Sequence, residues 1–231
     1  METDPLPRGR RPAGVIPLMA GGLVILWLGA AVAAQDPVAP PLALALPLQA
    51  AGEEPASFPG ELRKGSQEFT FLVGYGDQSE LPKGVSKEDR EFLFFTPRWG
   101  IVLTDPVGEG LWRGGLEFVT EPSAIITTDT PRILSGGIAA LLKYNFYTGT
   151  RLMPFLEGGA GLMASTDRLE GQGSSFNFTP QGGAGFHYFL SREWAFTFAY
   201  RFWHASNAGT AAPNRGVNAN TFFLGLAYFF P

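Results

Sequence analysis

The chain is 231 residues long, room for one domain and a leader. Only 16 % of its residues are charged and the formal net charge is −4, which excludes a strongly charged partner such as nucleic acid. Cysteine is absent, ruling out disulfides, thiolate nucleophiles and Cys-ligated metals, whereas 20 Phe and 30 Gly suit a β-protein whose outer face need not meet water.

Taken in order, the chain opens with Arg8, Arg10 and Arg11 ahead of an apolar stretch that contains Leu23-Val24-Ile25-Leu26-Trp27-Leu28. Small residues follow, with an A-x-A-like site at Ala31-Val32-Ala33. A basic, an apolar and a small-residue region in that order predict a secretory signal over 1–34. Residues 35–64 carry Pro37, Pro40, Pro41, Pro47, Pro55 and Pro59. Neither a period of 2 nor of 3.6 survives that proline density, so this stretch reads as a linker or disordered extension.

From residue 65 onward the texture changes to short alternating runs separated by Pro, Gly, Asp and Asn. Between Gln67 and Tyr75, Phe69, Phe71, Val73 and Tyr75 share one face and Glu68 and Thr70 the other. Glu91–Leu103 is aromatic-rich, but Phe94-Phe95 and Pro97 blur its phase, which predicts a bulge or an early break. Leu111–Thr120 sets Trp112, Leu116 and Phe118 against Arg113 and Glu117. Ile133–Phe146 sets Leu134, Ile138, Leu142, Tyr144 and Phe146 against Ser135, Lys143 and Asn145. Pro154–Ser165 is weaker, Gly-rich and interrupted by Glu157. Ser175–Leu190 places Phe176, Phe178, Phe186 and Tyr188 opposite Asn177, Thr179, Gln181 and His187.

Two C-terminal runs complete the series. The first has Trp194, Phe196, Phe198, Tyr200, Phe202, His204 and Ser206 on one face. The second has Phe222, Leu224, Leu226, Tyr228 and Phe230 on one face. About eight strands follow, with no amphipathic helix between them. Their large apolar face and small, lightly charged opposite face predict an eight-stranded antiparallel transmembrane β-barrel over 65–231. Its lumen would be narrow and filled by short polar side chains. In a soluble sheet the same aromatic face would be core.

One constellation can carry chemistry. Acyl transfer needs a hydroxyl nucleophile, a base, a group orienting the base and donors for the oxyanion. His204 and Ser206, two apart on a strand, emerge on the same face. Asn207 and Ala208-Gly209 follow where the chain can turn, and Asn214 sits in a Pro-Asn-Arg-Gly loop. Asn218 is set across the hairpin from His204, where its side-chain carbonyl can accept from an imidazole N–H and leave the other nitrogen basic. On pattern alone, two polar residues where a strand leaves the bilayer explain His204 and Ser206 equally well. His187 falls on the predicted lumen face, as a structural residue. The Gly-rich runs Gly158-Gly159-Ala160-Gly161 and Gly182-Gly183-Ala184-Gly185 follow no phosphate-loop pattern and read as strands packed closely.

The runs Arg201-Phe202-Trp203-His204-Ala205-Ser206-Asn207-Ala208-Gly209, Pro213-Asn214-Arg215-Gly216-Val217-Asn218 and Gly225-Leu226-Ala227-Tyr228-Phe229-Phe230 resemble the signature of the lipid A 3-O-deacylase and acyloxyacyl hydrolase-related outer-membrane barrels. The resemblance implies an eight-stranded barrel in the outer membrane of a Gram-negative-type bacterium, reached by signal-peptide export, with a site facing lipid. It further implies Ser206 as nucleophile and His204 as base, with Asn207, Gly209 and Asn214 around the oxyanion. Asn218 stands where the studied deacylases carry Glu. The implied function is a serine esterase that removes an ester-linked acyl chain from lipid A in lipopolysaccharide. It needs no metal or organic cofactor, and its partner is a membrane lipid. A non-catalytic structural or lipid-binding barrel, a phospholipase using the same site, and a homodimer stay open.

Overall fold

The computed structural model describes residues 61–79 and 90–230. The expected export signal over 1–34 and most of the Pro-rich stretch over 35–64 lie outside the described residues. The described chain folds into strands β1 (Gln67–Gln78), β2 (Glu91–Val102), β3 (Gly114–Thr127), β4 (Leu134–Phe146), β5 (Leu152–Ser165), β6 (Phe176–Phe178), β7 (Gln181–Phe189), β8 (Trp194–Ala205) and β9 (Val217–Phe230). Neighbours pair antiparallel in the order β4-β3-β2-β1-β9-β8-β7-β5, and a β4–β5 ladder closes the ring. The short β6 is the continuation of β7. Phe178 lies opposite Leu162 and Gln181 opposite Gly159, so Thr179 and Pro180 pass between them without a change of register. The result is a closed barrel of eight staves, as the alternation predicts, with no unpaired sheet edge.

The faces follow the sequence pattern. Phe69, Phe71, Val73 and Tyr75 on β1, Trp194, Phe196, Tyr200 and Phe202 on β8, and Phe222, Leu224, Leu226 and Phe230 on β9 all point outward and are exposed. A wall with this composition is stable only against hydrocarbon.

Two expectations are corrected. First, β2 has neither bulge nor break. It alternates through to Val102, and only the middle of its ladder with β3 is missing, between the pairs Phe95↔Ala124 and Trp99↔Thr120. The unchanged register places Pro97 opposite Pro122. Neither residue has an N–H, so the pair loses hydrogen bonds without losing alignment. Second, the lumen is not filled by short polar groups. Arg98, Arg201, Lys143, Phe92, Phe155, Phe189 and Phe223 are all fully buried inside it. Inward glycines make the room: a Cβ on Gly74 would run into the Phe223 ring, and one on Gly100 into the Glu117 carboxylate.

The interior is layered. At one end, Leu62, Val102, Met153, Phe189, Ala195, Ala227 and Phe229 form an apolar floor, and the Tyr147 hydroxyl donates to the Leu62 carbonyl at 3.1 Å. The end of the expected linker is therefore anchored into the barrel. At the other end, Phe92, Phe94, Trp203 and Phe223 pack in tilted and edge-to-face pairs, with ring centroids 5.4–6.3 Å apart. Between these layers lies a charged one. Arg201 reaches Glu121 at 2.6 and 2.8 Å and Glu157 at 2.5 Å. Arg98 reaches Glu157 at 2.5 Å and Glu121 at 3.1 Å. Lys143 pairs with Glu68 and, at 2.9 Å, with Glu117. Fully desolvated charges persist only when matched in this way. His187 joins the layer through Thr197 Oγ1 at 2.9 Å and is wholly buried, in the structural position foreseen for it. A cavity of ≈ 10 Å³ remains between Phe94, Glu121, Trp203 and Phe223, far from a pore.

The two ends differ. Loops 103–113, 147–151 and 190–193 lie at the floor end, where β1 begins and β9 finishes. Among the described residues, loops 128–133, 166–175 and 206–216 lie at the other end and are longer on the whole.

Candidate active site

β8 keeps its alternation to its last residues, so His204 stays on the outward face set by Phe198, Tyr200 and Phe202. Ser206 continues the phase one step beyond the strand. It is still held in the sheet by exchanged hydrogen bonds with Phe178, Ser206 N–H to Phe178 O at 3.0 Å and Phe178 N–H to Ser206 O at 2.7 Å. Both side chains are half-buried. They are about 6.6 Å apart along the backbone, the rise of two extended residues.

Across the hairpin, β9 sets Asn218 directly opposite His204. The imidazole Nδ1 and Asn218 Oδ1 are 2.5 Å apart. An amide oxygen only accepts, so Nδ1 carries the proton and Nε2 is the free base. Asn218 is itself buried, at 1 % exposure, so the contact is shielded from competing water. From the other side, Gly216 closes on the ring. Its φ is +72°, and a Cβ there would lie 2.7 Å from His204 Cε1. The imidazole is thus wedged between an acceptor and a bare stretch of backbone.

The loop after Ser206 is tied by one side chain. Asn207, fully buried, donates through Nδ2 to Ala211 O at 2.8 Å and Pro213 O at 3.3 Å, and its Oδ1 accepts from Gly209 N–H at 2.9 Å. Its own backbone N–H is shared between Gln172 Oε1 at 3.2 Å and Asn214 Oδ1 at 3.1 Å. Ala208 and Gly209 take φ of +53° and +79°, which turns the chain back toward β9.

The expected residues therefore stand as follows. His204 and Asn218 are in contact on the outward face, and Ser206 follows two positions along that same face. Asn207 and Gly209, expected at the oxyanion, spend their donors on the loop, and Asn214, anchored through Oδ1, keeps its Nδ2 for another acceptor. Sequence reading missed Gly216 and Gln172. A glycine closing a turn-like loop just before β9 was a signal for the first; nothing in the pattern singled out the second.

A model of the family "Lipid A 3-O-deacylase (PagL)" matches residues 84–227. The chain belongs to the PagL family. Among solved structures, the outer membrane enzyme PagL aligns with a TM-score of 0.52 and 21 % identity, over 68 % of this chain and 97 % of that one. Neisserial surface protein A aligns with a TM-score of 0.50 and 17 % identity, over 72 % and 100 %. The N-terminal barrel of Pseudomonas aeruginosa OprF reaches 0.49 and 15 %, over 73 % and 100 %. No curated protein matches the chain by sequence. The first two likenesses carry the fold of an outer-membrane barrel, and the PagL family carries lipid A deacylation as its activity. In such barrels the longer loops face the exterior. This orientation sets His204, Ser206 and Asn218 at the outer rim of the PagL-family barrel, on the lipid side of the wall.

Proposed function

We propose that the protein is an outer-membrane serine esterase that removes an ester-linked acyl chain from lipid A, delivered to that membrane by the export signal over 1–34. The observation that carries this reading is the His204–Asn218 contact on the lipid-facing surface beside Ser206, at the loop-rich end of the barrel. Lipid A lies in the outer leaflet, so its acyl esters come level with this rim.

The chemistry follows from the tautomer. Ser206 Oγ attacks the acyl carbonyl carbon while its proton passes to His204 Nε2, and the carbonyl π pair moves onto oxygen. Asn214 Nδ2 serves as the side-chain donor for that oxyanion, while Asn207 and Gly209 serve the site by holding the loop. On collapse the C–O bond to the sugar breaks, and His204 returns its proton to the departing oxygen. Water then attacks the acyl-serine by the same route and releases the fatty acid. Asn218 fixes the ring and the tautomer but adds no charge to steady the imidazolium.

Replacing Ser206 by Ala is expected to abolish release of fatty acid from purified lipid A, read by mass spectrometry, while the barrel keeps its heat-modifiable gel mobility. Release at the original rate excludes this nucleophile. The amide in place of an acid favours a second reading, a non-catalytic lipid-binding barrel. A fluorophosphonate ester separates the two, since it labels Ser206 only in a working site. A phospholipase using the same residues would release acyl chains from glycerophospholipid vesicles instead.

A further inference from the structure

Gln172 belongs to loop 166–175, on the hairpin next to the one that carries His204 and Ser206. It is buried at 4 % exposure. Its Oε1 accepts the Asn207 N–H, the amide that directly follows the nucleophile, and its backbone bridges Asn214. That bridge consists of two backbone bonds flanking the pair, Gly173 N–H to Pro213 O at 2.5 Å and Arg215 N–H to Gly171 O at 2.9 Å. The other end of the amide, Nε2, is buried without a partner among the described residues. A flipped amide would set Nε2 against the Asn207 N–H, donor against donor, so the orientation is fixed by chemistry. A leucine of similar size would fill the space without the desolvation cost of an orphaned amine. The glutamine must be there for its oxygen.

We propose that Gln172 is a positioning residue for the esterase site, acting through Asn207 and Asn214; the proposal rests on the catalytic reading above. The Asn207 N–H is one donor held between two side-chain carbonyls. Anchoring Asn214 by Oδ1 turns its Nδ2 outward, and Gln172 Oε1, accepting the same N–H from the barrel side, fixes the position of the Asn207 amide to which Asn214 is tied. The neighbouring hairpin thereby sets the place of the oxyanion donor relative to Ser206. Without it, loop 206–216 keeps its internal Asn207 bonds and its backbone bonds to Gly171 and Gly173, but loses the side-chain hold on the amide that follows Ser206.

The test combines Gln172→Leu, Gln172→Glu and Asn214→Ala in the full-length protein. Gln172→Leu should lower kcat about tenfold with KM little changed. Gln172→Glu, which keeps an acceptor for the Asn207 N–H, should recover most of that loss. Adding Gln172→Leu to Asn214→Ala should cost nothing more, because the first acts through the second. Additive losses, or Gln172→Glu as slow as Gln172→Leu, overturn the proposal. Hydrogen exchange read by mass spectrometry keeps it testable apart from turnover. Gln172→Leu should speed exchange across 206–216 and leave β8 and β9 unchanged. Unaltered exchange in that segment refutes the clamp even if the enzyme is active, whereas absent wild-type turnover with faster exchange in the variant refutes only the esterase reading.

Discussion

Replacing Asn218 by Asp changes one atom and adds one charge, which makes it the sharpest probe of the site. Asn218 Oδ1 already lies 2.5 Å from His204 Nδ1, so the aspartate inherits the geometry. In serine proteases the reverse exchange costs about 10⁴ in kcat, largely through the wrong tautomer. Here the tautomer is already right, so only the missing charge is restored. With roughly 4 Å between the charge centres, a carboxylate–imidazolium pair is worth about 4 kcal/mol at an effective dielectric near 20 and about 1 kcal/mol in water. The imidazole is half-buried, and taking the carboxylate out of water offsets part of the gain. A net 1.5–3 kcal/mol is about 10- to 100-fold in kcat. Asn218→Ala removes the acceptor and should fall well below the wild type. The assay is initial-rate acyl release from lipid A in mixed micelles, with folding checked by gel mobility. An Asp variant no faster than wild type, together with an Ala variant that matches it, would show that position 218 does not orient the base.

Gly216→Ala should lower kcat at least about tenfold and Tm by a few degrees, because the new methyl pushes on His204 Cε1 and the left-handed φ adds about 1–2 kcal/mol of strain; turnover at the wild-type rate would dismiss the wedge. Arg201→Met leaves the buried Glu121 and Glu157 with Arg98 alone, one charge unmatched, and should destabilise the barrel by about 3–5 kcal/mol, read by urea unfolding in detergent, with no loss meaning that the charged layer is dispensable. Leu224→Arg, half-way along the outward face of β9, should cost about 2–4 kcal/mol in lipid vesicles and Phe230→Arg, at the strand end, about 0–1 kcal/mol. Equal costs at the two positions would contradict the assignment of that face to hydrocarbon.

The barrel was legible because each stave must show one face to lipid, and the period-two placement of Phe, Leu and Tyr records that requirement residue by residue. Position 218 was legible for the same reason: the phase of β9, counted back from Phe222, points it at His204. What the sequence could not show were contacts set by closure. Arg98 and Glu157 are 59 residues apart and meet only because the ring is closed and staggered by a particular amount, which no local pattern encodes. The large lumen residues were misjudged likewise, since short polar side chains were expected to fill an interior in which glycines such as Gly74 and Gly100 leave room for Phe223 and Glu117. Gln172 was invisible because loops carry no period. Its partner, Asn207, was noticed for its side chain, whereas the contact runs through its backbone.

The packed interior has a consequence for how such an enzyme works in its membrane. Nothing can travel down the axis, so substrate, water and released fatty acid must all come and go around the rim. The fatty acid departs into the same leaflet that supplied the substrate. On the proposed function, turnover would require no gate and expose no leak, and the bacterium would trim its outer surface without weakening the permeability barrier that surface provides.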